Sequence, residues 1–249
     1  MLRSCMRAAA RNLSTAAAVE GKVVLRYFES RGRAQALRYA LVDANTNFKD
    51  DRISMQNIMS GNWFNMKNNA SISGIWGSLP VLEWDNFQLS QTEAISTFLY
   101  NKLGHAEQNA NDLQLAARSA SLTSFAHQDI ILLSLQLINI IGTMQNAKPE
   151  DLVSAVGQFH ARIHGFLPRI ENLAKSNGGY LIFEAMDLIA MILGKESFNG
   201  FPHCSKFMFT MMERPNIAQY LKSGQRPLYL TGSPVEPTIL ARVAECRPK

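Results

Sequence analysis

The stretch VVLRYFESRGRA, residues 23–34, decides how this chain is read. Val23, Val24 and Leu25 lead into Arg26-Tyr27-Phe28 as a β-type run, whereas Ala34-Gln35-Ala36-Leu37-Arg38-Tyr39-Ala40-Leu41 has helix formers at helical spacing. A strand, a tight Arg31-Gly32-Arg33 turn and a helix therefore follow one another directly. The turn places Tyr27 at the carboxyl end of a strand, where α/β sheets hold their ligands.

Working outward, the spacing predicts a strand over Val23–Phe28, a helix over Arg33–Ala44 and a second strand over Asn47–Ile53. After an Asn/Ser/Gly-rich stretch comes Leu79-Pro80-Val81-Leu82-Glu83-Trp84. Asp85-Asn86 forms a hairpin turn, and Phe87-Gln88-Leu89 the returning strand. Ser90-Gln91-Thr92-Glu93 reads as a capping box opening a helix, with Ser90 as N-cap. Beyond Gly104-His105 the periodicity is helical, over Leu113–Leu137, Asp151–Ala174, Glu184–Leu193 and Lys206–Glu213. The stretch from Gly224 to Lys249, with Pro227, Pro234, Pro237 and Pro248, reads as an extended tail.

Composition excludes several classes. The 249 residues are 47% hydrophobic, enough for a substantial core. No run reaches the roughly 18 consecutive apolar residues of a membrane span, since Ser134, Gln136 and Asn139 interrupt Ile130–Ile141. Cys5, Cys204 and Cys246 have neither CxxC nor zinc-ligand spacing, so no metal site or disulfide framework is expected, and Cys204 reads as a buried structural cysteine. His160 and His164, four apart, lack a third ligand and read as a solvated pair.

Residues 1–18, MLRSCMRAAARNLSTAAA, carry Arg3, Arg7 and Arg11 and no acid, the composition of a mitochondrial transit peptide cleaved near residue 13; a plain basic tail is the alternative. Without residues 1–13 the formal charge of +5 falls to +2. With no lysine/arginine stripe elsewhere, nucleic-acid binding is set aside.

The segments RYFESRGRAQALRYAL (26–41), LPVLEWDNFQLSQTEAISTFL (79–99), SNGGYLIFEAMDL (176–188) and RPNIAQYLKS (214–223) together resemble the glutathione S-transferase family, in its tyrosine-type, sigma-like class. The resemblance implies an α/β thioredoxin-like domain over 21–104 that binds glutathione, an all-α domain over 105–224, and the tail over 225–249. It makes Tyr27 the hydroxyl that hydrogen-bonds the glutathione sulfur, favouring the thiolate. Arg33 then tunes the site, and Trp63 and Lys67 surround the glycine carboxylate. Leu79, before a cis Pro80, offers its backbone to the cysteinyl unit. Gln91 and Thr92 take the γ-glutamyl group at a helix N-terminus. Glutathione would be the co-substrate, with a small apolar electrophile as second substrate and a homodimer as the assembly.

Four features depart from the family pattern. The loop from Asn68 to Gly77 is long, and Ser78 replaces a Gln or Lys. The acid lent to a neighbouring subunit's glutathione becomes Thr123 or Ser124. In Glu184-Ala185-Met186-Asp187 the hydroxyl cap of a helix start is lost and only Asp187 survives. The helix Ile130–Ile141 is apolar nearly all round, which predicts burial on every side, in a rich core with an apolar second-substrate pocket or against a partner protein or membrane surface. Two functions follow: a transferase in the mitochondrial matrix or on the matrix side of the inner membrane, working by conjugation, peroxide reduction or isomerisation, or a non-catalytic subunit docked on a larger mitochondrial assembly through Ile130–Ile141 and the tail. Residues 1–18 fused to a fluorescent reporter are expected to carry it into mitochondria and to be shortened there, which microscopy and mass spectrometry of the imported product would check.

Overall fold

The computed structural model describes residues 21–103, 113–144, 147–174 and 179–248, apart from the side chain of Leu115. The transit-peptide reading of residues 1–18, and Cys5 with it, lies outside those residues.

Strand β1 (Val23–Phe28) pairs in parallel with β2 (Phe48–Ile53), Val23 opposite Phe48, across helix α1 (Gln35–Asp43). On its other side β1 meets β3 (Val81–Trp84) antiparallel, and β3 turns back into β4 (Phe87–Ser90), giving the order β2-β1-β3-β4. As a central strand, β1 is buried on both faces, which is why its apolar run does not alternate. The Asn/Ser/Gly-rich stretch contains three short helices, α2 (Met55–Met59), α3 (Asn62–Met66) and α4 (Ala70–Ser73).

Helix α5 (Thr92–Lys102) opens differently from its sequence reading. Ser90 completes β4, and Gln91 takes the N-cap position at φ 77° with no side-chain cap bond, so the capping box does not form. Glu93 turns instead toward the second half of the chain. There its carboxylate meets His127 Nδ1 at 3.0 Å and accepts from Gln128 Nε2 at 2.7 Å.

That half is helical: α6 (Leu113–Ser124), a π-helical segment (Phe125–Ile131), α7 (Leu132–Thr143), α8 (Pro149–Ala174), α9 (Gly179–Leu193), α10 (Pro202–Met212), α11 (Pro215–Lys222) and α12 (Glu236–Glu245). Three expectations change here. Helix α9 starts at Gly179, five residues before Glu184, so Glu184 and Asp187 lie inside it and cap nothing. The apolar run is buried on one face only: Ile130, Ile131, Leu137, Ile138 and Ile141 enter the core, whereas Gln136, Asn139 and Ile140 are exposed. The tail is not extended. The buried Glu236 carboxylate accepts from the backbone N–H groups of Leu230 (2.6 Å) and Thr231 (2.7 Å), fixing a turn before α12.

Helix α1 joins the two halves. Leu37, Ala40 and Leu41 pack on the sheet with Leu25, Leu82 and Ile95, while Ala36 and Tyr39 belong to the helical core. The Tyr39 ring lies 5.0 Å from that of Phe183, a fully buried residue of α9. Truncating Phe183 to Ala leaves a cavity at this junction. Phe183→Ala is expected to cost about 3–5 kcal/mol in a denaturant unfolding curve.

Candidate functional site

The site begins with the turn after β1. Gly32 adopts φ +38°, and a Cβ there would stand 2.4 Å from the Tyr27 hydroxyl, so the turn needs glycine on both counts. This close approach lets the backbone N–H of Arg33 donate to the Tyr27 hydroxyl oxygen at 3.0 Å. Burial pushes the phenol above its ordinary pKa, opposed by the Arg33 N–H and by the Arg33 and Arg38 charges. Tyr27 therefore stays protonated at neutral pH, with its oxygen already accepting one bond. The O–H remains the donor that the group can offer.

Arg38, fully buried on α1, holds the strand end from behind. Its Nη1 donates to the Ser30 carbonyl at 2.8 Å and its Nε to the Asp50 carboxylate at 3.1 Å. Its guanidinium carbon lies 6.0 Å from the centre of the Tyr27 ring.

A cleft of about 440 Å³ opens above Tyr27 between the two halves of the chain. One wall is Tyr27, Phe28, Arg33, Trp63, Lys67 and the segment 77–79; the other is Leu132, Leu135, Gln136 and Asn139 of α7. Those four α7 residues fall at positions i, i+3, i+4 and i+7, one stripe of a helix. Two cations, Arg33 and Lys67, thus share the cleft with an aromatic floor, since Trp63 meets Phe28 edge-on at 5.1 Å and Phe28 meets Tyr27 at 5.3 Å. Such a cleft suits a molecule with anionic ends and an apolar or soft centre.

Of the residues singled out in the sequence, Tyr27, Arg33, Trp63, Lys67 and Leu79 line this cleft together, and the Leu79–Pro80 bond is cis. Gln91 and Thr92 lie off the lining. Gln91 is exposed, whereas Thr92 is buried and its hydroxyl donates to the Arg33 carbonyl at 3.1 Å, so α5 reaches the site through the turn. Thr123 and Ser124 fall at the end of α6. Ser78 lines the cleft beside Gly77.

Sequence reasoning missed the buried charges behind the turn. Arg31, 1% exposed, is sandwiched against α9: its Nε and Nη2 donate to the two Glu184 oxygens at 3.0 and 2.9 Å, and Nη2 also to Asp187 at 2.6 Å. Burial by itself would lower the Arg31 pKa, but the Glu184 and Asp187 carboxylates raise it overall. It also missed His127, nearly buried beside Glu93, whose pKa is lowered by burial against a partial opposing pull from Glu93. Pairs 153 and 34 residues apart leave no local pattern to find.

Among the described residues no group of histidine, cysteine and acidic side chains could hold a metal ion. The Cys204 thiol is buried and pushed up to about 12 by burial and then by Glu171, which fits the inert cysteine expected of it.

A four-stranded mixed sheet with cis-Pro80 at the start of β3, followed by an all-helical half, is the glutathione S-transferase fold. No family model matches the chain. It is 26% identical over 210 residues to glutathione S-transferase P 2 of Bufo bufo, covering 81% of this chain and 93% of that protein. Against glutathione S-transferase alpha-2 of Rattus norvegicus it is 23% identical over 219 residues, covering 84% and 91%. The solved pi-class glutathione S-transferase of Onchocerca volvulus superposes with a TM-score of 0.63 at 22% identity, over 85% of this chain and 99% of that one. These relatives carry pi and alpha class names, so the similarity does not single out the sigma-like class.

Gly32→Ala is expected to force the turn off the Tyr27 hydroxyl and to destabilise the protein by more than about 1 kcal/mol, from the strained φ and the 2.4 Å approach together. A thermal melt beside the amide spectrum of Arg33 checks both effects.

Proposed function

We propose that this protein is a glutathione S-transferase of the tyrosine type, sigma-like in the placing of Trp63 and Lys67, that activates the thiol of glutathione for attack on an apolar electrophile. The observation that carries this reading is the Tyr27 hydroxyl, held by the Arg33 N–H at the floor of a cleft that also presents Arg33 and Lys67. A free thiol has a pKa near 8.5, so only a few per cent is thiolate at neutral pH. A hydroxyl donating to sulfur stabilises the thiolate and lowers that pKa. Lys67 and Trp63 would take the glycine carboxylate, and the Leu79 backbone the cysteinyl unit. Gln91 and Thr92 would take the γ-glutamyl group, and the electrophile would sit against Leu132 and Leu135. The same thiolate would serve peroxide reduction or isomerisation. Similarity along most of the chain to proteins named glutathione S-transferase supports the reading.

The alternative, a non-catalytic subunit docked through its apolar helix, loses its main motive. The apolar face of that run is buried within the chain itself, and Leu132, Leu135, Gln136 and Asn139 on its other side line the cleft, with Ile140 exposed. A homodimer remains part of the proposal, with the largely exposed Ile75 and Trp76, which precede the cleft-lining Gly77 in sequence, available to it. Residence in the mitochondrial matrix is proposed on the composition of residues 1–18.

Calorimetric titration of the chain from residue 14 with glutathione tests the proposal. Micromolar to millimolar binding that Gln91→Ala abolishes and Tyr27→Phe largely spares is expected. Conjugation by Tyr27→Phe should fall by about 10- to 100-fold, the worth of one hydrogen bond to a charged group. Absence of binding by the unaltered protein would sink the reading.

A further inference from the structure

The Arg31-Gly32-Arg33 turn, which supplies the N–H on the Tyr27 hydroxyl, is gripped residue by residue from distant parts of the chain. The backbone N–H groups of Arg31 and Gly32 donate to the carbonyls of Tyr229 (2.8 Å) and Leu230 (2.9 Å). The Arg33 carbonyl accepts from the Thr92 hydroxyl. The Arg31 guanidinium is locked by α9, in a two-pronged contact with Glu184 and a third bond to Asp187.

Glu184 is 0% exposed and lies inside a helix, where the helix itself has no use for a carboxylate. A buried ion pair is poor evidence of added stability, because apolar residues of the same volume often serve at least as well. What a two-pronged arginine–carboxylate contact does supply is geometry, since two parallel bonds fix both position and plane. Asp187 lacks that role alone: it is part-exposed and divides its oxygen between Arg31 and Arg226, at 2.6 and 2.7 Å.

We propose that Glu184 is a positioning residue for Tyr27, fixing through Arg31 the turn that brings the Arg33 N–H onto the Tyr27 hydroxyl and so setting how well that hydroxyl stabilises a bound thiolate. The proposal rests on the reading of Tyr27 as the thiol-activating group. Hydrogen bonds weaken steeply with angle, and sites of this kind tolerate displacements of only about 0.5 Å. A turn released on the Arg31 side loses alignment at Arg33, two residues away. The charged groups facing Tyr27 are Arg33 and Arg38; those facing Glu184 are Arg31, Asp187 and Arg226, with the Tyr39 phenol. None of these faces both, so an effect of Glu184 on Tyr27 travels through the turn.

The test compares the unaltered full chain with Glu184→Gln, which keeps the shape, and Glu184→Asp, which keeps the charge but shortens the reach. Two readings are taken: the ring-carbon resonance of Tyr27 and the amide resonance of Arg33 in protein without ligand, assigned with Tyr27→Phe, and the pH dependence of thiolate absorbance by bound glutathione. Glu184→Gln is expected to move both resonances and to raise the thiol titration midpoint by about one pH unit, a tenfold loss of thiolate below it, with little change in KM for glutathione. Glu184→Asp should shift both in the same direction by less. A folded Glu184→Gln, or Glu184→Asp where the former does not fold, whose Tyr27 and Arg33 resonances stay in place or whose bound thiol titrates at the original midpoint overturns the proposal, even where its melting temperature has dropped. Should the unaltered protein bind no glutathione, movement of the two resonances still supports the positioning, and only the thiol-activating reading of Tyr27 falls.

Discussion

A guanidinium sealed from water has to be met by carboxylates, and that requirement, at Arg31, organises the junction between the sheet and the helices. Arg31 leaves the end of β1 and reaches Glu184 and Asp187 on α9; Asp187 in turn holds Arg226, which introduces the segment whose carbonyls at Tyr229 and Leu230 come back to the same turn. The circuit closes on itself. Removing a single partner would strand a charge in a medium that solvates it poorly, so these elements are fixed relative to one another as a set. The rest of the site is built against that fixed point.

Helix α1 extends the same logic through apolar contacts. Its two faces belong to two cores, Leu37 and Leu41 under the sheet and Tyr39 against Phe183 of α9, so the sheet cannot slide on the helical half without breaking close packing. The cleft is the space that this junction leaves open. One wall comes from strand ends and short helices with Tyr27, Trp63 and Lys67, the other from the α7 stripe. The chemistry of one half and the shape of the other meet only because the junction is rigid.

Local rules made much of this legible. The run into Tyr27, the Arg-Gly-Arg turn, the hairpin at Asp85-Asn86 and the resemblance that implied a cis bond at Pro80 are all recoverable from short stretches of sequence, and five of the eight candidate residues line one cleft. Two of the three misreadings share a cause. Ser90 to Glu93 has the spelling of a capping box, but the β3–β4 ladder claims Ser90 and the distant His127 claims Glu93. Glu184 looked like a failed cap because its partner, Arg31, lies 153 residues earlier. The proline-spaced tail concealed a helix whose opening turn depends on the buried Glu236. For Glu93 and Glu184 a long-range polar contact overrides a local propensity, and no window of sequence contains both members; in the tail the contact is only five or six residues long, but the proline spacing masks it.

The π-helical segment Phe125–Ile131 sits immediately before the cleft-lining stripe, in an otherwise continuous helix from Leu113 to Thr143. Such a segment holds one residue more than an α-helix of the same span, and it sets the phase of everything after it. Deleting one residue there would restore an α-helix of the same span and leave Leu132, Leu135, Gln136 and Asn139 facing the cleft, whereas a deletion in the α-helical turns around it would rotate the downstream helix by about 100° and carry them away. The second wall is thus buffered at this place against a one-residue change in chain length. A lineage carrying this fold can gain or lose one residue within Phe125–Ile131 and still present the same stripe opposite Tyr27.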